Sequence, residues 1–389
     1  MRIALIGTRG VPARYGGFET CLEEVGSRLA SRNHDVLVFC RPAYDGDPAR
    51  ATSHRGIRLV QLPIVRRRSV ETLCHTALSV CHESLTGTDA AIVFNAANAP
   101  LLPVLRARQI PVATHVDGLE WLRAKWGPLG RRYYRAVEGL AVRWSDDIIA
   151  DASGISDYYR SEFAARSTLI SYGAPIVTRE AAARIEDLDL ASGKYHLVVA
   201  RFEPENHVLE IVQGYQQSRA ELPLVVVGSA PYADAYTKAV TRAAGDRVRL
   251  LGALWDQEQL NQLYAHALTY VHGHSVGGTN PSLLRAAGAG AFTIAYDVRF
   301  NREVLGDHAS YFTTAAELAE WLGRAESDPA GAERRGGELQ RAVKRYNWDD
   351  VTDQYEELCR RLATHRAALP RPTGRRRRRT AAEERVSSG

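Results

Sequence analysis

The sequence is poor in sulfur: one methionine and five cysteines in 389 residues. Cys21, Cys40, Cys74, Cys81 and Cys359 are an odd, scattered set without a C-x-x-C pair, which disfavours a disulfide framework and a zinc site and favours reduced thiols. No apolar run reaches the roughly 18–20 residues that a membrane-spanning helix needs. The N-terminus opens on an apolar strand pattern without the basic region and apolar core of a secretory signal, so the chain is expected to be cytosolic. The dinucleotide fingerprint is missing too. The glycine-rich stretch "GTRGVPARYGGFET", residues 7–20, is too long and wrongly spaced to be G-x-G-x-x-G opening directly into a helix, which argues against an NAD-dependent oxidoreductase. The D-x-D at Asp187-Leu188-Asp189 lies in a polar stretch and reads as solvated linker rather than as a metal site.

What is present is an α/β pattern of double length. The chain is too long for one ordinary core, and 45% apolar with 24% charged residues is ordinary for a globular protein. Short β-branched runs at residues 3–6, 36–40, 59–62, 91–94, 112–115 and 148–151 alternate with helical patterns, the sign of a parallel sheet with crossover helices. Residues 176–194 are polar and lack a strand, which suits an interdomain connection. The pattern restarts at 197–200, 224–227, 248–251, 269–272 and 292–295. The expected organisation is therefore an N-terminal α/β domain over 1–175, a second over 195–345, and a last helix at 346–365 with Asn347 as its cap, free to pack on either domain. Residues 366–389 form a basic tail expected to be disordered, either a solvated extension or an attractor of anionic lipid or nucleic acid. Helices are clearest over 256–266 and 281–288, the second opening on Pro-Ser.

Ligands of such folds gather at the carboxyl ends of the strands. Residues 7–17 join a strand to a helix starting near Gly17, and a helix N-terminus offers unpaired N–H groups and a positive dipole end to an anion. Four segments, "GTRGVPARYGGFET", "VDGLEWLRAKWG" at 116–127, "VVARFEPEN" at 198–206 and "HSVGGTNPSLL" at 274–284, together resemble the family 4 glycosyltransferases and, within them, a subgroup that includes bacterial rhamnosyltransferases of capsule and exopolysaccharide synthesis. The resemblance runs from residue 1 to about 365. It implies the GT-B fold, two Rossmann-like parallel-sheet domains facing a cleft, with the last helix returning to the first domain. A nucleotide-sugar donor would be bound mostly by the second domain and an acceptor mostly by the first. Transfer would retain anomeric configuration and need no metal and no cofactor. The best donor reading is dTDP-rhamnose, and the acceptor a lipid-linked glycan precursor.

Transfer from a sugar diphosphate demands charge stabilisation on the departing phosphate. Arg201, at the end of the second domain's first strand, suits that role as a permanent bidentate cation. Many family 4 enzymes carry Lys five residues after it; here Asn206 offers a neutral donor. Gly277, Gly278, Thr279 and Asn280 precede the helix start at Pro281 and Ser282, where small residues admit phosphate oxygens to backbone N–H groups. Gly16 and Gly17 are expected to approach the diphosphate from the first domain, with Arg9 and Arg14 supplying charge; a tight turn alone is the alternative. His115 ends a strand where the family contacts the donor sugar, or else is a satisfied strand-end histidine. Asp117 either orients the acceptor hydroxyl and assists its deprotonation, or caps the turn before Gly118. The family's Glu-x7-Glu pattern falls here on Gly277 and Arg285. The second Glu binds ribose hydroxyls, which Arg285, with donors only, cannot do in the same way.

Arg66, Arg67 and Arg68, and Arg123, Lys125, Arg131, Arg132, Arg135 and Arg143 interleaved with Trp121, Trp126, Tyr133 and Tyr134, suit a helix lying at an anionic membrane surface, or else a solvated face. No nucleic-acid motif accompanies them. The expected partners are thus donor, lipid-linked acceptor and the inner face of a bacterial membrane. A degenerate glycosyltransferase-fold protein that binds without turnover is the non-enzymatic alternative, with Arg285 as its motive.

Overall fold

A computed structural model describes residues 1–13, 16–42, 51–64, 71–116, 118–124, 126–179, 182–229 and 234–364. Arg14, Arg66, Arg67, Arg68, Asp117, Lys125 and the basic tail lie outside the described residues. The chain divides into two compact units.

Unit 1 takes in Met1–Trp121, Pro128–Ile170 and the chain from Thr352. Its strands are β1 (Arg2–Ile6), β2 (Asp35–Cys40), β3 (Ser53–His54), β4 (Ile57–Gln61), β5 (Ala90–Phe94), β6 (Val112–His115), β7 (Asp147–Ala150) and β8 (Thr168–Leu169). They form one sheet in the order β3-β4-β2-β1-β5-β6-β7-β8, parallel except for the β3/β4 pair. Helices α1 (Gly17–Ser31), α2 (Glu71–Cys81), α3 (Leu102–Ala107), α4 (Pro128–Trp144) and α5 (Ser153–Phe163) connect the strands. A parallel strand is covered on both faces, so its sequence is an unbroken apolar run. β5, Ala-Ala-Ile-Val-Phe, is buried at all five positions.

Unit 2 comprises Ser171–Val351 together with Leu122–Gly127. Its helices and strands run α6 (Ala183–Glu186), β9 (His196–Val199), α7 (Val208–Gln217), β10 (Leu224–Val227), α8 (Asp234–Ala243), β11 (Val248–Gly252), α9 (Gln257–His266), β12 (Thr269–His272), α10 (Pro281–Gly288), β13 (Phe292–Tyr296), α11 (Arg299–Leu305), β14 (Ser310–Phe312), α12 (Ala315–Ser327) and α13 (Pro329–Ala342). The strands make an all-parallel sheet, β11-β10-β9-β12-β13-β14. The last helix, α14 (Trp348–Thr364), is capped by Asn347, whose Oδ1 accepts from Asp349 N at 2.8 Å.

Two features differ from the sequence reading. The polar connection at 176–194 is built into unit 2: Val177 N donates to Gly288 O at 3.0 Å, Arg184 N to Gln262 Oε1 at 2.9 Å, and Ile185 is fully buried. Asp187 and Asp189 remain exposed. The strands β3, β8 and β14 have two or three residues each, too few to form an apolar run.

Helix α7 lies so close to α12 that a Cβ on Gly214 would stand 2.8 Å from Ala315 O, whereas one on Gly323 meets nothing within 4 Å. Gly214→Ala should therefore destabilise unit 2 by about 1–3 kcal/mol through overpacking. Gly323→Ala should stabilise it by roughly 0.5–1 kcal/mol through helix propensity. Thermal unfolding midpoints of the two variants should move in opposite directions.

Candidate functional site

In an open parallel sheet a crevice opens where the strand order reverses. In unit 2 that point lies between β9 and β12, which are hydrogen-bonded neighbours while the chain leaves β9 toward β10 on the far side. The loops after these strands, residues 200–207 and 273–280, meet there. Ser275 N and Oγ both donate to Glu205 O, at 3.0 and 3.1 Å. His207 Nδ1 lies 2.7 Å from Gly273 O. The approach requires glycine at 273, since a Cβ there would overlap the Asn206 carbonyl oxygen.

Arg201 leaves β9 half-buried, and its guanidinium makes no hydrogen bond or ion pair with the described residues. Its carbonyl accepts from Asn206 Nδ2 at 2.8 Å, so Asn206, itself buried, uses a donor to hold the loop. Across the crevice, Gly277 has φ +140°, a backbone state that suits glycine. Thr279 is buried. Asn280 caps α10: its Oδ1 accepts from Ser282 N at 2.9 Å and Ser282 Oγ at 2.7 Å. Gly278 lies in the same loop, and the N–H groups of the first turn of α10 end at this crevice. Arg285, one turn on, donates through Nη2 to Gln257 Oε1 of α9 at 2.8 Å.

The crevice contains more than the sequence reading placed there. Glu205 is buried, with Arg123 Nη1 3.8 Å from its Oε1. Arg123 is itself buried, in Leu122–Gly127. That corrects its assignment to a membrane-facing set; Tyr134 is buried as well. His272 and His274 stack with ring centroids 4.5 Å apart, and Tyr270 OH joins His272 Nδ1 to Ser282 Oγ, 3.1 Å to each. Burial pushes His272 down to about 3. Burial, reinforced by His272, Arg201, Arg123 and His207, keeps His274 well below its ordinary range. Both rings are neutral at physiological pH. The H-G-H spacing at 272–274 was the available signal, because alternate residues at a strand end can flank a close-approach glycine.

The corresponding point in unit 1 lies between β1 and β5. The loop after β1 is held by α1: Arg9 N donates to Glu19 Oε1 at 3.1 Å and Ala13 N to Glu23 Oε2 at 2.6 Å. Gly16 is extended at the α1 N-cap and Gly17 begins the helix. A Cβ on Gly16 would stand 2.6 Å from Glu19 Oε2, so a carboxylate already lies beside this helix N-terminus. His115, 0% exposed, packs edge-on against Phe18, with its Nδ1 2.9 Å from Tyr355 OH of α14. Burial pushes it down to about 3. These contacts hold the Nδ1 side of the ring against α14. Beyond β2, Arg41 Nη1 pairs with Glu71 Oε1 at 2.7 Å and Nη2 donates to Thr72 Oγ1 at 3.1 Å. Among the described residues no three His, Cys, Asp or Glu side chains are grouped to hold a metal, and no helix is long and apolar enough to cross a membrane.

The buried histidines set an acid limit on stability. A histidine with a lower pKa folded than unfolded is protonated preferentially in the unfolded chain, so its contribution is complete above pH about 6.5 and is lost as pH falls toward the folded value. At about 1.4 kcal/mol per pH unit, His272 should remove on the order of 2 kcal/mol by pH 5. The thermal midpoint should fall less between pH 7 and 5 in His272→Asn than in wild type. Equal falls would place the acid sensitivity elsewhere.

A "Glycosyl transferase 4-like domain" model matches residues 16–173, and a "Glycosyl transferases group 1" model matches 185–346. No curated protein matches the chain significantly. Sucrose-phosphate synthase from Thermosynechococcus elongatus aligns with TM-score 0.80 and 21% identity over 93% of this chain and 98% of that one. Anabaena HepE in complex with UDP-glucose gives 0.75 and 18% over 92% and 99%. Trehalose-6-phosphate synthase from E. coli bound with UDP-2-fluoro glucose gives 0.70 and 11% over 95% and 100%. Two Rossmann-like sheets, each crevice at a reversal of strand order, and family models over both halves make this chain a glycosyltransferase of the GT-B fold.

Proposed function

We propose that the protein transfers a sugar from a nucleotide-sugar donor held by unit 2 to an acceptor held by unit 1. The observation that carries this reading is the half-buried guanidinium of Arg201, without a hydrogen bond or ion pair among the described residues, on the loop that meets the glycine loop before α10. A fixed cation and converging N–H groups stabilise the charge that develops on a departing diphosphate without reorganising at the moment of reaction. The neutral His272 and His274 add no competing charge. Transfer is proposed to retain configuration and to need no metal: the leaving phosphate can take the acceptor proton on the face it departs from, and Arg201 supplies positive charge. Asp117, two residues after His115 in the sequence, is assigned to orienting the acceptor hydroxyl, and His115 to contacting the donor sugar.

The motif resemblance supports dTDP-rhamnose as donor and a lipid-linked glycan precursor of cell-surface polysaccharide as acceptor. HepE, observed with UDP-glucose, supports a UDP-hexose as the second donor reading. Turnover is tested by measuring release of dTDP, UDP or GDP from a panel of nucleotide sugars with a membrane lipid extract as acceptor. Arg201→Ala should lower the rate at least about a hundredfold while leaving the fold intact. An unchanged rate in the folded variant removes Arg201 from the site. Nucleotide binding with no release from any donor favours the non-catalytic binder, for which Arg285 remains the motive.

A lipid-linked acceptor requires the enzyme to work at a membrane surface. Helix α4 presents Leu129, 83% exposed, together with the exposed Arg131, Arg132, Arg135 and Arg143. Each arginine near an anionic surface contributes about 1 kcal/mol, screened by salt. The protein should float with anionic liposomes, less at high salt, and not with neutral ones. Replacing Arg131 and Arg132 with Ala should reduce flotation. Equal partition to both vesicle types rules out the electrostatic account.

A further inference from the structure

The strongest unfilled demand in the molecule is the Glu205 carboxylate. It is 6% exposed, and neither Oε1 nor Oε2 has a hydrogen-bond partner among the described residues. Its cation, Arg123, stands 3.8 Å away, beyond hydrogen-bond reach. The ion pair therefore fixes the position of the carboxylate without filling its lone pairs, of which an ionised carboxylate offers about four. Two further buried atoms on the neighbouring loop lack partners: His272 Nε2 and His274 Nδ1. Arg123 acts on both sides of this group, as the partner of Glu205 and as one of the charges that hold His274 neutral. Ser275 fastens the two loops together through the Glu205 carbonyl.

A carboxylate requires donors, and a neutral imidazole nitrogen either accepts or donates. Among the groups that a nucleotide sugar carries, the sugar hydroxyls, each both donor and acceptor, suit the two together. A cation does not fit, because no three ligating side chains are grouped here among the described residues. A phosphate does not fit either, since it would meet the carboxylate with like charge. Arg285 leaves room for the assignment: the residue at the family's ribose-binding position has no acceptor and is turned to Gln257.

We infer that Glu205, held by Arg123, accepts hydrogen bonds from a vicinal hydroxyl pair of the nucleotide-sugar donor. The inference rests on the donor reading above. The hydroxyls belong either to the ribose or to the transferred sugar, and the chemistry of recognition is the same for both.

Calorimetric titration of wild type, Glu205→Gln and Arg201→Ala with UDP, 2′-deoxy-UDP, dTDP, UDP-glucose and dTDP-rhamnose tests it. Glu205→Gln keeps the shape and loses the charge. If ribose is read, the variant should bind UDP at least tenfold more weakly while 2′-deoxy-UDP changes less than threefold. If the sugar is read, both nucleoside diphosphates should bind as in wild type, while the nucleotide sugar accepted by wild type weakens at least tenfold. Arg201→Ala should weaken every ligand alike, as expected of a diphosphate contact. Unchanged selectivity in Glu205→Gln, or a uniform loss across all ligands, overturns the inference. Wild type that binds no nucleotide at all overturns the donor reading and the inference with it, so the two failures are distinguished by the wild-type titration alone. Circular dichroism confirms the fold. Should Glu205→Gln not fold, Glu205→Asp, which keeps the charge and withdraws it by one methylene, is read by the same comparison.

Discussion

Everything at the candidate site depends on the burial of parallel strands on both faces. Such strands carry apolar side chains above and below, so the sheet interior has no place for charge. Polar chemistry is confined to the loops at the strand ends, and only where the strand order reverses do two loops diverge and leave a crevice. In unit 2 that reversal brings residues 200–207 beside 273–280. Glycine makes the approach tolerable: at Gly273 any side chain would collide with the Asn206 carbonyl, and at Gly228, with φ +148°, any side chain would collide with that of Ala200.

The two crevices differ in what their polar groups have left to offer. In unit 1 the charges beside the β1 and β2 loops are paired, although Arg41 Nε and both ring nitrogens of His75 are buried without a hydrogen-bond partner among the described residues. Glu19 and Glu23 accept from the β1 loop, and Arg41 is held by Glu71 and Thr72. Buried pairs of this kind add little net stability, because desolvation offsets their attraction, but they fix a loop in one geometry. In unit 2 the balance is left open. Among the described residues Arg201 makes no hydrogen bond or ion pair, Glu205 has a cation nearby but no side-chain hydrogen bond, and His272 and His274 are neutral with one ring nitrogen each unsatisfied. Leaving such groups buried and unmade costs about 1–3 kcal/mol each. That cost is recovered when a ligand supplies the missing partners.

Much of this fold is legible in the chain. Residues 112–115, 224–227 and 269–272 are strands at those bounds, and 281–288 is a helix, because long apolar runs and a Pro-Ser start are local signals. The short strands β3, β8 and β14 carry no such signal; they form because a neighbouring strand already offers its hydrogen bonds. The site is legible where it depends on loop position, as at Arg201 and Gly277. It is not legible where burial decides. A run such as "EWLRAKW" with its arginine and lysine reads as a basic surface, and nothing local reveals that Arg123 turns inward to Glu205 while Arg131 and Arg132 stay in solvent. Likewise "FEPEN" does not say which of its two glutamates, Glu203 or Glu205, is the buried one.

The two departures from the family pattern are connected by this geometry. Where the resemblance leads one to expect Lys and Glu, the chain has Asn206 and Arg285, and each turns toward protein: Asn206 to the Arg201 carbonyl, Arg285 to Gln257. Replacing the lysine takes a cation out of the β9 loop, which leaves Arg201 as its cation and makes the buried Arg123 the other positive charge acting on His274. Replacing the glutamate takes an acceptor off α10, while a carboxylate with unfilled lone pairs stands on the opposite loop at Glu205. On the proposed reading the crevice keeps one kind of group for a diphosphate, at Arg201, and one for hydroxyls, moved from α10 to Glu205. A site rearranged in that way would conserve its chemistry without conserving its positions, and the segment Leu122–Gly127, which brings Arg123 into unit 2 beside Glu205, would become part of its specificity.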